Sequence, residues 1–469
     1  MNKVSRKAMQ FWASYGTRFL PFADAASPDL PLPRLLRLSL FQVSVGMALV
    51  LMVGTLNRVM IVELGVPASL VGIMVSLPVL FAPFRALIGH RSDTHRSELG
   101  WKRVPFIWKG SLIQFGGLTI MPFALLVLAG AGHAAEVPTW VGKLAAAVAF
   151  LMVGAGVHMT QTVGLALATD LTPIDRQPRV VGLMYVMLLL GMAVSALVFG
   201  SLLVNFTAGR LVQVIQASAV ITLILNTVSL WKQEARRPKR TLAPAPRDPT
   251  FAESWASFAS SERAIRLLWA LCLGTLAFGM SDVLLEPYGG QVLHLTVSST
   301  TKLTATFAVG GLFGFGLASH VLGRGYDPFR MASIGALVGL PAFACVIVAA
   351  PLHSLPVFTF GTLLIGVGAG LFGHGTLTAT MNNAPADQRG LALGAWGAVQ
   401  ACAAGVGMAT SGVIRDVVNA AAGSRDVLPY VSGAASGYTV VYVIEMVLLC
   451  CTIAAMAPIL FAYRRQARA

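Results

Sequence analysis

Apolar residues in this chain come in long unbroken runs, not in stripes. Runs of 18 or more recur from one end to the other, separated by short segments that carry most of the charged residues. A run of that length reads as a membrane-spanning helix, because a helix needs ~20 residues to cross the hydrocarbon core. The pattern predicts twelve spans, at 35–62, 67–89, 104–130, 139–169, 178–206, 210–231, 264–290, 300–322, 329–351, 355–383, 390–418 and 438–462. The segment 232–263 breaks the pattern with KQEARRPKRTLAPAPRDPTFAESWASFASSER, the longest polar stretch in the chain. It divides the expected organisation into an N-terminal segment (1–34), a six-helix bundle (35–231), the linker (232–263), a second six-helix bundle (264–462) and a basic tail (463–469).

Composition agrees with the spans. Of 469 residues, 56 % are hydrophobic and 11 % charged, and mean hydropathy is +0.74. A soluble protein this apolar could not cover its own surface, so a cytosolic enzyme, a disordered regulator and a secreted disulfide scaffold are excluded. Cys272, Cys345, Cys402, Cys450 and Cys451 lie in apolar segments without CxxC spacing and suggest neither a metal cluster nor a disulfide framework. The net charge of +15 would suggest nucleic acid on a soluble protein. Here the basic residues cluster at helix ends, which points to topology and anionic lipid headgroups, with no nucleic-acid partner. Most of the Lys and Arg fall on the side of both termini, whereas the opposite side holds Lys143, Arg210, Lys302, Arg415 and Arg425. The positive-inside bias predicts cytoplasmic N- and C-termini. No cleavable signal peptide is expected, since the first apolar stretch is short and broken by Pro21 and Pro28. The tail FWASYGTRFLPF (11–22) suits a helix at headgroup level.

The two halves repeat. Gly89, Asp93 and Arg96 follow the second span, and Gly323, Asp327 and Arg330 follow the eighth, both as G-x-x-x-D-x-x-R. Pro173, Asp175 and Gly182 after the fourth span match Pro385, Asp387 and Gly394 after the tenth. Parallel repeats about an axis along the membrane normal are the architecture of the major facilitator superfamily. The fold class expected is therefore an all-α integral membrane protein of twelve transmembrane helices in two six-helix halves. In the superfamily the G-x-x-x-D-x-x-R loops act either as a latch between the halves or as a static clamp.

Few polar groups lie deep in the spans. Arg58 and Glu63 occupy the outer part of helix 1, and Asp282 and Glu286 the outer part of helix 7. These helices face each other across the central cavity of that fold, so Arg58 is placed to pair with Asp282 or Glu286. An unpaired charge in hydrocarbon is expensive, and the alternatives are a structural ion pair or a proton-coupling site. Glu445 is a further ionisable residue in a span. On helix 4, His158, Gln161, Thr162, Leu165 and Thr169 share one face, and His374 lies on helix 10. A neutral imidazole can ligate a metal, including a porphyrin-type magnesium, while a lone buried His more often bridges two helices. The literal G-x-G-x-x-G at 368–373 follows no strand and reads as close helix packing. Nucleophile triads, phosphate loops and paired catalytic carboxylates do not stand out, and no enzymatic role is expected.

Three strings, GTLNRVMIVELGVPA (54–68), APFRALIGHRSD (82–93) and GWKRVPFIWKGS (100–111), resemble one family. They look like the bacteriochlorophyll-delivery (PucC/LhaA-like) branch of the major facilitator superfamily in purple phototrophic bacteria. The resemblance spans the twelve helices and is strongest in the first three. It implies a multi-pass protein of the photosynthetic (intracytoplasmic) inner membrane that promotes assembly of light-harvesting complexes, with the core antenna LH1 favoured over the peripheral LH2. It implies bacteriochlorophyll as cargo or ligand, carotenoid as a second pigment, and antenna α/β polypeptides as partners. The reaction centre, bacteriochlorophyll synthase and membrane lipids complete the expected partners. The competing readings are a proton-coupled transporter using Arg58, Asp282 and Glu286, and a pigment-free scaffold.

Overall fold

The computed structural model describes residues 30–78, 85, 88, 91, 92, 101–130, 136, 138–173, 176–234, 262–383, 389–422 and 433–466. Within them the chain forms α1 (Leu32–Glu63), α2 (Ala68–Ser76), α3 (Val104–Leu128), α4 (Thr139–Asp170), α5 (Gln177–Leu202) and α6 (Ala208–Leu230). After the linker come α7 (Glu262–Gln291), α8 (Val297–Leu322), α9 (Pro328–Ala349), α10 (Leu355–Asn383), α11 (Arg389–Ala422) and α12 (Gly433–Gln466). Eleven helices among the described residues are long and apolar enough to cross a membrane. The protein is a multi-pass, all-helical membrane protein.

Local sequence sets the helix starts. Pro stands in the first turn of α3, α5 and α9, where its missing N–H costs nothing. The Thr207 hydroxyl accepts the Arg210 N–H (3.1 Å) to cap α6, and Thr296 caps α8 through Ser299 N–H (3.3 Å). The α3 N-terminus is capped from far away. The Glu234 carboxylate, just past α6, accepts the backbone N–H groups of Lys102 (2.6 Å), Arg103 (3.0 Å) and Val104 (2.9 Å). It meets the open donors of the N-cap Arg103 and of Val104 together with that of the preceding residue, where negative charge is favoured. Helices α11 and α12 run past the expected 390–418 and 438–462, because hydropathy marks the part that suits hydrocarbon, not the end of the hydrogen-bond ladder.

Helix α1 departs from regular winding. Val50–Leu56 and Val59–Glu63 are π-helical, with an i→i+5 bond from Leu64 N–H to the Val59 carbonyl at 3.0 Å. Such wide turns tend to occur at functional positions.

Helices α1, α3, α4, α5 and α6 pack on one another, as do α7 to α12, and the two groups meet along α2–α11, α5–α8 and α1–α7/α8. Small residues set the spacing. A Cβ on Gly368 would stand 2.8 Å from the Gly335 carbonyl of α9, and one on Gly370 2.6 Å from the Gly311 carbonyl of α8. The glycine run of α10 thus lets three backbones approach closely. Phe123, Trp140, Trp269 and Phe313 are exposed on the outside of the bundle, as lipid contact requires.

Among the described residues, hydrogen bonds that join the halves lie at the end of the bundle carrying the α1–α2 and α7–α8 turns, the outer end in the expected topology. Asn57 Nδ2 donates to the Val283 carbonyl (2.6 Å), and Ser298 Oγ donates to the Gly200 carbonyl (2.6 Å). Thr55 and Thr301 hydroxyls stand 3.4 Å apart, and Ser69 N–H donates to Asp416 Oδ2 (2.7 Å).

Candidate functional site

The polar face expected on α4 is bound up with a residue from the second span. Arg85 Nε donates to Thr162 Oγ1 at 2.9 Å, and Arg85 Nη2 donates to Gln161 Oε1 at 3.3 Å. Gln161 Nε2 donates in turn to Gln42 Oε1 of α1 at 3.5 Å. His158 stands one turn earlier on α4, within electrostatic reach of Arg85. Its Nδ1 is buried without a hydrogen-bond partner. Tyr185 of α5 also lies within reach of the guanidinium.

From Tyr185 a row of rings crosses the seam between the halves. The Tyr185 ring is 6.2 Å from that of Phe315 on α8, and Phe315 is 4.3 Å from the His374 ring on α10. The two histidines read from the sequence therefore stand on opposite halves, with Arg85, Tyr185 and Phe315 between them. The row offers ring faces to a flat apolar molecule. The unused Nδ1 of His158 leaves that imidazole with bonding capacity to spare. Both features fit a magnesium tetrapyrrole, for which His158 and His374 would be the nitrogen donors.

The second expected cluster forms differently. Arg58 pairs with Glu63, five residues along its own helix, and donates through Nη2 to the Leu295 carbonyl at 3.0 Å. Five residues along an α-helix stand about 140° apart around the axis. The π turn at Val59–Glu63 brings them to one face, so Glu63 takes the guanidinium that Asp282 or Glu286 was expected to hold. Glu286 instead accepts from the Thr304 hydroxyl and packs against Gly54, still within electrostatic reach of Arg58. Asp282 lies within electrostatic reach of Glu445 on α12. Glu445 is fully buried with neither oxygen hydrogen-bonded, and the Tyr442 hydroxyl beside it is also without a partner.

The loop motif after α8 is used locally. Asp327 caps α9 through the Phe329 N–H (2.8 Å), and Arg330 Nε reaches its carboxylate at 3.8 Å. Gly323 ends α8. The corresponding Gly89, Asp93 and Arg96 lie outside the described residues, as do residues 1–29 and most of the 232–263 linker.

Sequence reasoning passed over Arg85, Tyr185, Phe315 and Gln42. For Arg85 the signal was present, since an arginine inside a span needs a partner or water. For the rings there was none, because Tyr and Phe are ordinary in spans.

The family profile described as PUCC protein matches residues 55–463. Protein PucC of Rhodovulum sulfidophilum is 64 % identical over 421 residues, covering 89 % of this chain and 92 % of its own. The bacteriochlorophyll synthase 44.5 kDa chain of Rhodobacter capsulatus is 29 % identical over 384 residues, covering 80 % of this chain and 85 % of its own. Among solved structures, a bacterial homologue of the human lysosomal transporter Spinster, inward-facing and unoccupied, superposes with a TM-score of 0.65. It shares 15 % identity and covers 92 % of this chain and 98 % of its own, which establishes the major facilitator fold.

Proposed function

This chain belongs to the PucC protein family, and from that premise we propose that it is an assembly factor for light-harvesting antenna complexes. It binds antenna α/β polypeptides and bacteriochlorophyll, and it delivers the pigment as the antenna helices pack. The observation that carries the pigment part is the row His158–Tyr185–Phe315–His374 across the seam. When bound, the pigment would supply a magnesium that accepts a nitrogen donor. His158 and His374 would supply the imidazoles that hold it, and Phe315 and Tyr185 would give ring contacts. A macrocycle too apolar to diffuse through water is thereby kept at lipid depth. The exposed aromatic flank gives single-span antenna subunits a surface in the same layer.

In this reading the protein sits in the photosynthetic inner membrane with both termini cytoplasmic. It serves LH1 in preference to LH2, works beside the reaction centre and bacteriochlorophyll synthase, accepts carotenoid as a second pigment and catalyses no reaction. A second reading is favoured by one observation. The outer Arg58, Glu63 and Glu286 cluster, set between the halves of a transporter fold, suits proton-coupled transport of a small molecule.

Mild purification, an absorption spectrum and an inventory of co-purifying chains separate the readings. Antenna polypeptides with bound bacteriochlorophyll are expected, and His158→Ala is expected to lower pigment occupancy. Antenna chains without pigment would leave a scaffold. Neither antenna nor pigment, together with substrate-dependent proton uptake in vesicles, would replace the assembly reading by transport.

A further inference from the structure

Among the described residues, three arginines of the helix bundle are matched by carboxylates, and Arg85 is not. Arg58 pairs with Glu63, Arg103 Nε stands 2.9 Å from Asp170, and Arg415 Nη1 stands 2.7 Å from Asp416. Arg85 lies inside the bundle, and its two hydrogen bonds go to the neutral oxygens of Thr162 and Gln161. Among the described residues, the titratable groups within electrostatic reach of it are His158 and Tyr185, and neither is a carboxylate. A guanidinium has five N–H donors, and two are accounted for here. A half-buried charge without a counter-charge is costly, and the cost is relieved when a ligand supplies the anion.

The surroundings shape that ligand. Thr162 and Gln161 fix the guanidinium plane by holding Nε and one Nη2 hydrogen, and Gln42 braces Gln161 from α1. A guanidinium so held is prepared for an oxyanion, which it takes most strongly with two parallel N–H bonds. Beyond it, on the side of the other half, lie rings: Tyr185, then Phe315, then His374.

We propose that Arg85 anchors an oxyanion site, binding the acidic end of an amphipathic ligand whose apolar body extends along Tyr185 and Phe315 towards the second half. The ligand is an acid, not its neutral ester. The oxyanion has two sources of the same chemistry: the propionate of an unesterified tetrapyrrole, or the head of a fatty acid. This inference does not rest on antenna assembly or on ligation of magnesium by His158.

The test uses the full-length protein in nanodiscs of phosphatidylcholine, with two matched pairs of probes. One pair is metal-free pheophorbide and its methyl ester, and the other is spin-labelled palmitate and its methyl ester. Binding is followed by pigment fluorescence and by spin-label immobilisation. At least one acid is expected to bind about 10- to 100-fold more tightly than its ester, the worth of a charged hydrogen bond. Arg85→Gln is expected to bring that ratio close to one, and Arg85→Lys to retain part of it. A preference confined to pheophorbide assigns the tetrapyrrole source, and one confined to palmitate assigns the fatty acid. Equal binding of acid and ester in both pairs overturns the proposal, as does a ratio that survives Arg85→Gln. The wild-type ratio decides by itself if Arg85→Gln does not fold. Because pheophorbide has no metal, failure here leaves the histidine ligation of the assembly reading to its own experiment.

Discussion

Asp416 of α11 accepts the backbone N–H of Ser69, in the first turn of α2, at 2.7 Å, so a charge from one half caps a helix of the other. No side chain of the first half does this, since the residue before α2 is Pro67. Arg415 holds the same carboxylate at 2.7 Å, donates to Gln291 Oε1 of α7, and lies over the Tyr438 ring at 5.0 Å. The outer seam is fastened by a helix cap that is complete only when the halves are together.

Removing that cap should loosen the seam. With Asp416→Ala, a cysteine placed at Thr55, buried against Thr301, is expected to react roughly 2- to 30-fold faster with a membrane-impermeant maleimide. Asp416→Asn keeps an acceptor oxygen and should fall between. An unchanged rate in Asp416→Ala would show that the apolar contacts of α2 and α11 hold the seam without it.

Glu445 should be a stability liability. Both its oxygens are buried without partners, and Asp282 adds a second carboxyl nearby. Replacing it with methionine, of similar length and no polar atom, is expected to stabilise the folded protein by about 1–3 kcal/mol. Thermal unfolding in detergent measures this as a higher midpoint. A lower midpoint would mean that the carboxyl is bonded in the working protein.

The glycines of α10 give a matched comparison. Gly370→Ala puts a methyl group 2.6 Å from the Gly311 carbonyl, and the overpacking is expected to cost about 1–3 kcal/mol. Gly373→Ala, three residues on, meets nothing within 4 Å and is expected to change stability little. Size-exclusion profiles after heating should separate the two.

Glu234→Ala should destabilise the start of α3, because three backbone donors lose one acceptor group. The expected loss is about 1–2 kcal/mol, and Glu234→Gln should recover part of it. Hydrogen exchange at Lys102, Arg103 and Val104 reports the effect directly, and unchanged protection there would refute it.

The helices and their grouping were legible because hydrocarbon leaves the backbone few choices. The 104–130 and 210–231 spans correspond to Val104–Leu128 and Ala208–Leu230. The site was legible in pieces. Gln161, Thr162 and His158 were placed on one face by helical spacing, but their partner Arg85 comes from another helix. The sequence distance of 77 residues between Arg85 and Thr162 carries no local signal. Arg58 shows the other limit. Its pairing with Glu63 depends on a π turn, and VLMVGTLNRVMIVE contains neither proline nor any other mark of altered winding.

That winding has a consequence of its own. A π turn holds more residues than an α turn over the same stretch of axis, so α1 contains slack. Rewinding the stretch as regular α-helix would lengthen α1 and turn its outer tip, with Arg58 and Glu63, against the part that carries Gln42. A one-residue deletion between Val50 and Glu63 could be absorbed by the same rewinding. A deletion between Leu40 and Leu49 would instead swing every later side chain by about 100°. Of the two stretches, only the outer one can shorten in sequence and keep its place in the bundle.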